Sequence, residues 1–123
     1  MTRILVIDDD AASRAALTRL LTQSGYAVLE AADGNEGLRC MAEFLPDVLL
    51  VDIFMPERDG LETIRLMRRA FPQVPIMAMS GGTVFHLPSD VLTAACDFGA
   101  QHTFTKPFAP EGLLTALQTA LGD

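Results

Sequence analysis

The chain has 123 residues, half of them hydrophobic and a fifth charged, which fits one globular domain over residues 1–123 and excludes a disordered chain. Its formal net charge of −7 argues against direct binding of nucleic acid, because such binding depends on basic side chains that neutralise phosphates. No apolar run approaches the roughly 20 residues that span a bilayer, so we expect no membrane insertion and a cytoplasmic location.

The cysteines and the basic residues form no recognisable binding motif. Cys40 and Cys96 stand neither in a Cys-x-x-Cys pair nor at ligand spacing from a histidine, which excludes the usual zinc and thioredoxin-type patterns. We expect both to be small, buried helix residues. Three arginines fall on one predicted helix, where a solvated face is the simplest interpretation: Arg65, Arg68 and Arg69.

The first predicted elements are a buried strand and an amphipathic helix. Residues 3–7 form a near-continuous apolar run, typical of a strand that is buried on both faces. Residues 11–24 have helical periodicity, and we expect Asp10 to be the N-cap and Gly25 the C-terminal cap residue.

A second strand and helix follow. Residues 26–31 are predicted to be a strand, and Asp33 then precedes Glu36 by three residues, which is the pattern of a capping box. The helix is predicted to stop before Pro46. Its apolar residues at helical spacing are Leu38, Met41 and Leu45.

The alternation continues through the second half of the chain. Strands are predicted over residues 47–52, 74–79 and 101–105, and helices over about 61–71, 89–98 and 110–121. The stretch 81–88 lacks a clear period and is predicted to be a loop. Regular alternation with short connections favours an α/β fold, in which one doubly wound parallel sheet of five strands carries helices on both faces.

Polar residues follow four of the five predicted strands. Asp8 and Asp9 end the first, Asp52 the third, Ser80 the fourth and Lys106 the fifth. The carboxyl ends of parallel strands share one edge of the sheet, and ligands of such folds bind there. Three carboxylates at one site raise one another's pKa values, a conflict that Mg²⁺ removes. The set matches metal-assisted phosphoryl transfer onto a carboxylate nucleophile.

Each of these residues also has a plainer interpretation. An Asp after a strand often caps the next helix, which is the simpler role for Asp10. Ser80 before two glycines fits a turn, and Lys106 alone fits an exposed lysine. The joint placement at four strand ends favours a functional site, because a purely structural explanation has to account for each residue separately.

With these residues in place, the chain resembles the response-regulator receiver domain of two-component signalling over essentially its full length. The matching stretches are Leu5–Asp9, the Asp-x-x-Met-Pro-x-x-Asp-Gly run from Asp52 to Gly60, Ser80, and Lys106–Phe108. The resemblance implies the flavodoxin-like strand order 2-1-3-4-5. It also implies a phosphoryl-accepting signalling switch rather than a turnover enzyme.

The resemblance implies a role for each matching residue. Asp52 would accept a phosphoryl group from a histidine kinase or a histidine phosphotransfer protein. Asp9 and Asp52 would ligate Mg²⁺ (or Mn²⁺) directly, with Asp8 nearby and the backbone carbonyl of Phe54 completing the protein ligands. Output would pass to a downstream protein partner or to an effector domain outside this chain.

The resemblance is less complete at the residues that would report phosphorylation. Ser80 would move toward the phosphoryl group and Lys106 would pair with it. Thr103 occupies the position at which the family usually has an aromatic switch residue, and Phe104 has the opposite strand parity. The sequence therefore lacks the aromatic switch residue that the family usually has at this position.

Two other functions are compatible with parts of the sequence. A small phosphatase of the haloacid-dehalogenase kind would use Asp8 as nucleophile and Asp10 as acid, but it would leave Asp52 and its Met-Pro turn unexplained. A docking domain without regulated phosphorylation would fit Thr103 and the segment after Ser80. That segment has Gly81 and Gly82 where the family commonly has Ala after this serine, and it is a few residues longer than usual.

Overall fold

The computed structural model describes residues 2–52, 60–81, 102–106 and 110–121. Five parallel strands form one sheet in the order β2-β1-β3-β4-β5, as expected. The strands are β1 (Arg3–Ile7), β2 (Ala27–Ala31), β3 (Val48–Asp52), β4 (Ile76–Gly81) and β5 (His102–Lys106). The helices within these ranges are α1 (Ala11–Gln23), α2 (Gly34–Phe44), α3 (Gly60–Ala70) and α4 (Pro110–Ala120).

The helices cover both faces of the sheet, which confirms the doubly wound architecture. β1 and β3 are apolar on both faces, and successive side chains of a strand point in opposite directions. On one face they pack against α2 and α3; this cluster includes Leu5, Ile7, Leu49, Val51, Met41, Ile64 and Met67. On the other face they pack against α1 and α4; that cluster includes Ile4, Val6, Val48, Leu50, Leu17, Leu21, Leu113 and Leu117.

The predicted helix caps are present. The Asp10 carboxylate accepts a hydrogen bond from the Ser13 amide, and Gly25 after α1 has a φ of +97°. At the start of α2 the Asp33 carboxylate accepts from the Glu36 amide at 2.8 Å. The Glu36 carboxylate in turn accepts from the Ala32 amide, just before the cap residue.

Leu45 differs from the prediction. The apolar spacing predicted that it lies on the helical stripe with Leu38 and Met41, but it is the C-cap of α2, with φ of 53° and ψ of 65°. Proline disfavours the helical region for the residue before it, so the chain leaves the helix ahead of Pro46. The Leu45 side chain is 61% exposed as a result.

Replacing Leu45 by glycine is expected to stabilise the fold. A left-handed conformation costs a residue with a Cβ about 1–2 kcal/mol, and the greater freedom of glycine in the unfolded chain offsets part of the gain. We expect Leu45→Gly to raise the free energy of unfolding by about 0.5–1 kcal/mol, measured by urea denaturation. Leu45→Ala keeps the strain and is the control; equal stabilisation by both variants would refute the explanation.

Other predicted boundaries move by one or two residues, and some predictions cannot be compared. β4 begins at Ile76 instead of Val74, because residues 72–74 form a turn after α3. The helix predicted over residues 89–98 and the loop after Gly81 lie outside the described residues.

Cys40 is partly buried on α2 and packs against the core. Burial, followed by the nearby carboxylates of Glu36 and Glu43, raises the pKa of its thiol above the usual value. A raised pKa lowers the thiolate fraction at neutral pH, which agrees with a structural role. Cys96 lies outside the described residues.

The arginines of α3 form a largely solvated face, as the sequence indicated. Arg65 and Arg69 are exposed, while the Arg68 guanidinium donates a hydrogen bond to the Pro72 carbonyl at 2.8 Å. No helix in the part of the chain that the structure describes is long and apolar enough to cross a membrane.

Candidate functional site

Three carboxylates meet at the carboxyl edge of the sheet. Asp8 and Asp9 follow β1, and Asp52 ends β3, the strand that pairs with β1. One oxygen atom from each carboxylate lies within 4.8 Å of the other two. Asp8 is fully buried, Asp52 is 6% exposed and Asp9 is exposed. The cluster stands where the strand order reverses, the usual ligand site of doubly wound sheets.

Hydrogen bonds hold the loop between β1 and α1 at Asp8 and at Asp10. The Asp8 amide donates to the Ala31 carbonyl at 3.1 Å, and the Asp8 carboxylate accepts from the Asp10 amide at 3.0 Å. The Asp10 carboxylate is not part of the cluster and caps α1 by accepting from the Ser13 amide. Asp10 is therefore a capping residue, as its position in the sequence suggested.

The backbone brings the ends of β4 and β5 to the same edge. β4 continues beyond the level of Asp52, and Ser80 pairs with Thr105 in the next strand. Lys106, the last residue of β5, pairs with Gly81. The register thus puts the Ser80 and Lys106 positions on the edge that carries the carboxylates.

The structure gives the strand position of Thr103 but does not cover Phe54. Thr103 is the second residue of β5, opposite Ala78 of β4. Phe54 and the Met-Pro turn that follows Asp52 lie outside the described residues.

One residue beside the cluster was not singled out from the sequence. Arg14, on α1, donates a hydrogen bond from Nη1 to the main-chain carbonyl of Asp8 at 2.6 Å. Its Nε donates to Glu30 of β2 at 2.9 Å. A basic residue in the helix that follows three aspartates was the available sequence signal, but its partner on β2 becomes apparent only in the fold.

The carboxylate cluster could hold a divalent cation. Oxygen-only donors suit hard divalent cations such as Mg²⁺ and Mn²⁺. Around octahedral Mg²⁺ with bonds near 2.1 Å, adjacent ligand oxygens are about 3.0 Å apart and opposite ones about 4.2 Å apart. Oxygens that already lie within 4.8 Å of one another are close to this geometry. The residues therefore fit a divalent cation.

The fold and the site together define a class: flavodoxin-like α/β domains with an acidic cluster at the reversal of strand order. The chain belongs to the response regulator receiver domain family, whose sequence model matches residues 4–118. The family resemblance noted from the motifs is thereby confirmed.

Curated relatives include response regulators named MprA. The protein of Mycolicibacterium vanbaalenii is 39% identical over 119 residues, which cover 97% of this chain and 50% of the relative. That of Mycobacterium tuberculosis strain H37Ra is 40% identical with the same coverage. The chain spans about half the length of the curated relatives it matches.

Solved structures show the same fold. A response regulator receiver domain protein from Clostridium thermocellum superposes with a TM-score of 0.90 at 28% identity, covering 99% of this chain and 95% of the other. The chemotaxis protein CheY4 of Vibrio cholerae superposes with a TM-score of 0.87 at 31% identity, covering 98% and 99%.

Proposed function

We propose that this chain is a phosphoacceptor module of a two-component phosphorelay, with residues 1–123 as one receiver domain and Asp52 as the acceptor. The observation that carries the proposal is the grouping of Asp52 with Asp8 and Asp9 at the reversal of strand order. Asp52 ends β3, whose other residues are apolar and buried, so its backbone is firmly positioned; the residue itself is 6% exposed.

The proposed reaction transfers a phosphoryl group from a phosphohistidine to Asp52. A carboxylate oxygen of Asp52 forms a bond to phosphorus as the bond between phosphorus and the imidazole nitrogen breaks. The electron pair of that bond stays on the nitrogen, and a proton on the other ring nitrogen, supplied by water, lets the donor histidine leave as a neutral imidazole. The product is an acyl phosphate on Asp52.

The other site residues are proposed to hold the charges of this reaction. Asp8, Asp9, Asp52 and the backbone carbonyl of Phe54 would hold Mg²⁺, or Mn²⁺ in its place. A bound divalent cation neutralises carboxylate repulsion and withdraws charge from the phosphoryl oxygens. Lys106 would pair with the phosphoryl group.

The main rival, a phosphatase that uses Asp8 as nucleophile and Asp10 as acid, fits the contacts less well. The Asp10 carboxylate is engaged in capping α1. Asp8 is fully buried and accepts the Asp10 amide, whereas Asp52 retains some exposure. These contacts favour Asp52 as the reacting carboxylate.

Asp52→Asn is expected to abolish phosphoryl transfer. The wild-type chain, incubated with acetyl phosphate and MgCl₂, should gain the mass of one phosphoryl group, and EDTA should prevent the gain. The Asp52→Asn variant should gain nothing, because an amide is a poor nucleophile. Intact-protein mass spectrometry measures the product.

Asp10→Asn is the matched control, since it removes one nearby charge and keeps a good N-cap; its labelling should equal that of the wild type. Labelling that persists in Asp52→Asn and disappears in Asp8→Asn would support the phosphatase instead.

The proposed output is a change in partner binding. The added charge on Asp52 would be sensed by Ser80 and Thr103 and transmitted to a downstream protein or to an effector domain outside this chain. The relatives are about twice as long as the matched region, which supports an effector domain outside this chain. We propose a cytoplasmic location on the family relationship. Equal partner affinity with and without a phosphoryl mimic would favour the unregulated docking domain.

A further inference from the structure

Arg14 joins three elements beside the carboxylate cluster. Its backbone is part of α1, its Nη1 donates to the carbonyl of Asp8 at the end of β1, and its Nε donates to Glu30 of β2. The Arg14 side chain is 19% exposed and that of Glu30 is 39% exposed. Both hydrogen bonds involve a charged group, which makes them stronger than neutral ones.

The carbonyl that Arg14 binds belongs to the peptide between Asp8 and Asp9. The rest of Asp8 is also held, since its amide donates to Ala31 and its carboxylate accepts from Asp10. The direction of the Asp8 carbonyl fixes the peptide plane that leads to Asp9, because a peptide unit is planar. Arg14 therefore constrains the position of the Asp9 Cα atom, from which the carboxylate side chain extends.

Asp9 needs such a constraint more than its neighbours do. Its side chain is exposed and makes no hydrogen bond within residues 2–52, 60–81, 102–106 and 110–121. Asp8 and Asp52, in contrast, are buried. The exposed carboxylate completes the three-oxygen cluster only if its backbone holds it there.

We propose that Arg14, held by Glu30, is a positioning residue that directs Asp9 into the cation site. The inference rests on the proposed function, since it concerns the same site. It predicts the direction in which cation affinity changes when the Arg14 side chain is removed. As a positive charge, Arg14 repels a divalent cation, so its removal would tighten cation binding if charge were its main effect. If positioning dominates, its removal weakens binding.

The test is Mn²⁺ affinity, measured by calorimetry and by the electron paramagnetic resonance signal of free and bound Mn²⁺. Loss of groups that orient metal ligands typically costs 10–100-fold in metal affinity, so we expect about a 10-fold loss for Arg14→Ala. Arg14→Lys keeps the positive charge and a single donor nitrogen, and should recover part of the lost Mn²⁺ affinity. Arg19→Ala, an exposed arginine on the same helix, should stay within about twofold of the wild type.

A double-mutant cycle tests the role of Glu30. If Glu30 acts through Arg14, the Arg14→Ala/Glu30→Ala variant should bind Mn²⁺ no more weakly than Arg14→Ala alone. If both residues act only through their charges, Arg14→Ala should tighten Mn²⁺ binding and Glu30→Ala should weaken it. The two effects on the binding free energy should then add in the double variant. Far-UV circular dichroism of every variant verifies the fold, and Arg14→Lys provides the comparison if Arg14→Ala does not fold.

The outcomes separate the inference from the function on which it rests. Mn²⁺ binding by the wild type, weakened in Arg14→Ala and partly restored in Arg14→Lys, supports the inference. Unchanged or tighter binding in Arg14→Ala overturns it and leaves the proposed function standing. Absence of Mn²⁺ binding by the wild type overturns the cation site itself.

Discussion

Asp8→Asn is expected to raise the melting temperature of the cation-free protein and to remove most of its stabilisation by Mg²⁺. Two like charges about 4 Å apart near a protein surface repel by about 4 kcal/mol before ions screen them. A net gain of about 1–3 kcal/mol after screening corresponds to roughly 4–12 °C in a domain of this size. Asparagine keeps an oxygen for the Asp10 amide, so that hydrogen bond survives. In the proposed site, the loss of one carboxylate would weaken Mg²⁺ binding and, with it, the stabilisation that binding would confer.

Asp10→Asn is again the charge-matched control. It removes the same charge two residues further on, outside the carboxylate cluster, and preserves the cap of α1. Its melting temperature should change little, and its response to Mg²⁺ should remain that of the wild type. Thermal melts in EDTA and in excess MgCl₂ measure both quantities. An equal rise in the melting temperature of both variants would trace the effect to the overall charge of −7. A lower melting temperature for Asp8→Asn in EDTA would contradict the prediction.

Gly37→Ala is expected to destabilise the fold even though alanine is the better helix former. Gly37 is buried where α2 crosses β1. A Cβ there would collide with Ile7 Cδ1, and it would lie 3.0 Å from Ile7 Cγ1 and 3.3 Å from Met67 Cε. Overpacking costs about 1–3 kcal/mol, and improved helix propensity offsets about 1 kcal/mol of it. We expect a net loss of up to about 2 kcal/mol, measured by urea denaturation.

Two further variants test this explanation of Gly37. Gly112 lies on the exposed side of α4, where an added Cβ would have no atom within 4 Å, so Gly112→Ala should stabilise the protein. Ile7→Val removes the colliding Cδ1. Combined with Gly37→Ala, it should cost less than the sum of the two single changes. Additive losses would mean that Ile7 is not the obstacle.

The fold could be predicted largely from the sequence because strand and helix patterns alternate with clear boundaries. Residues 3–7 and 47–52 are too apolar for exposed strands, which indicated that β1 and β3 are buried. The strand order came from the family motifs. Leu45 was misassigned because its apolar side chain fitted the periodicity, whereas the backbone restriction imposed by Pro46 decided its conformation.

The site could be predicted as a set of residues but not as a geometry. Parallel topology alone brings Asp8, Asp9 and Asp52 to one edge, while the separation of their oxygens depends on the register of β1 with β3. Arg14 was missed for a related reason. Its partners lie on two other elements, and nothing in the local pattern distinguishes it from an exposed helical arginine.

The pairing of β1 with β3 also determines when the cation site can exist. The two strands are separated in the chain by α1, β2 and α2, so bringing them side by side closes a long loop before any contact compensates. Asp8 and Asp52 are neighbours only in a chain in which Ile7 lies at the level of Val51. The proposed cation site therefore requires paired central strands, and a bound cation would favour chains in which they are paired.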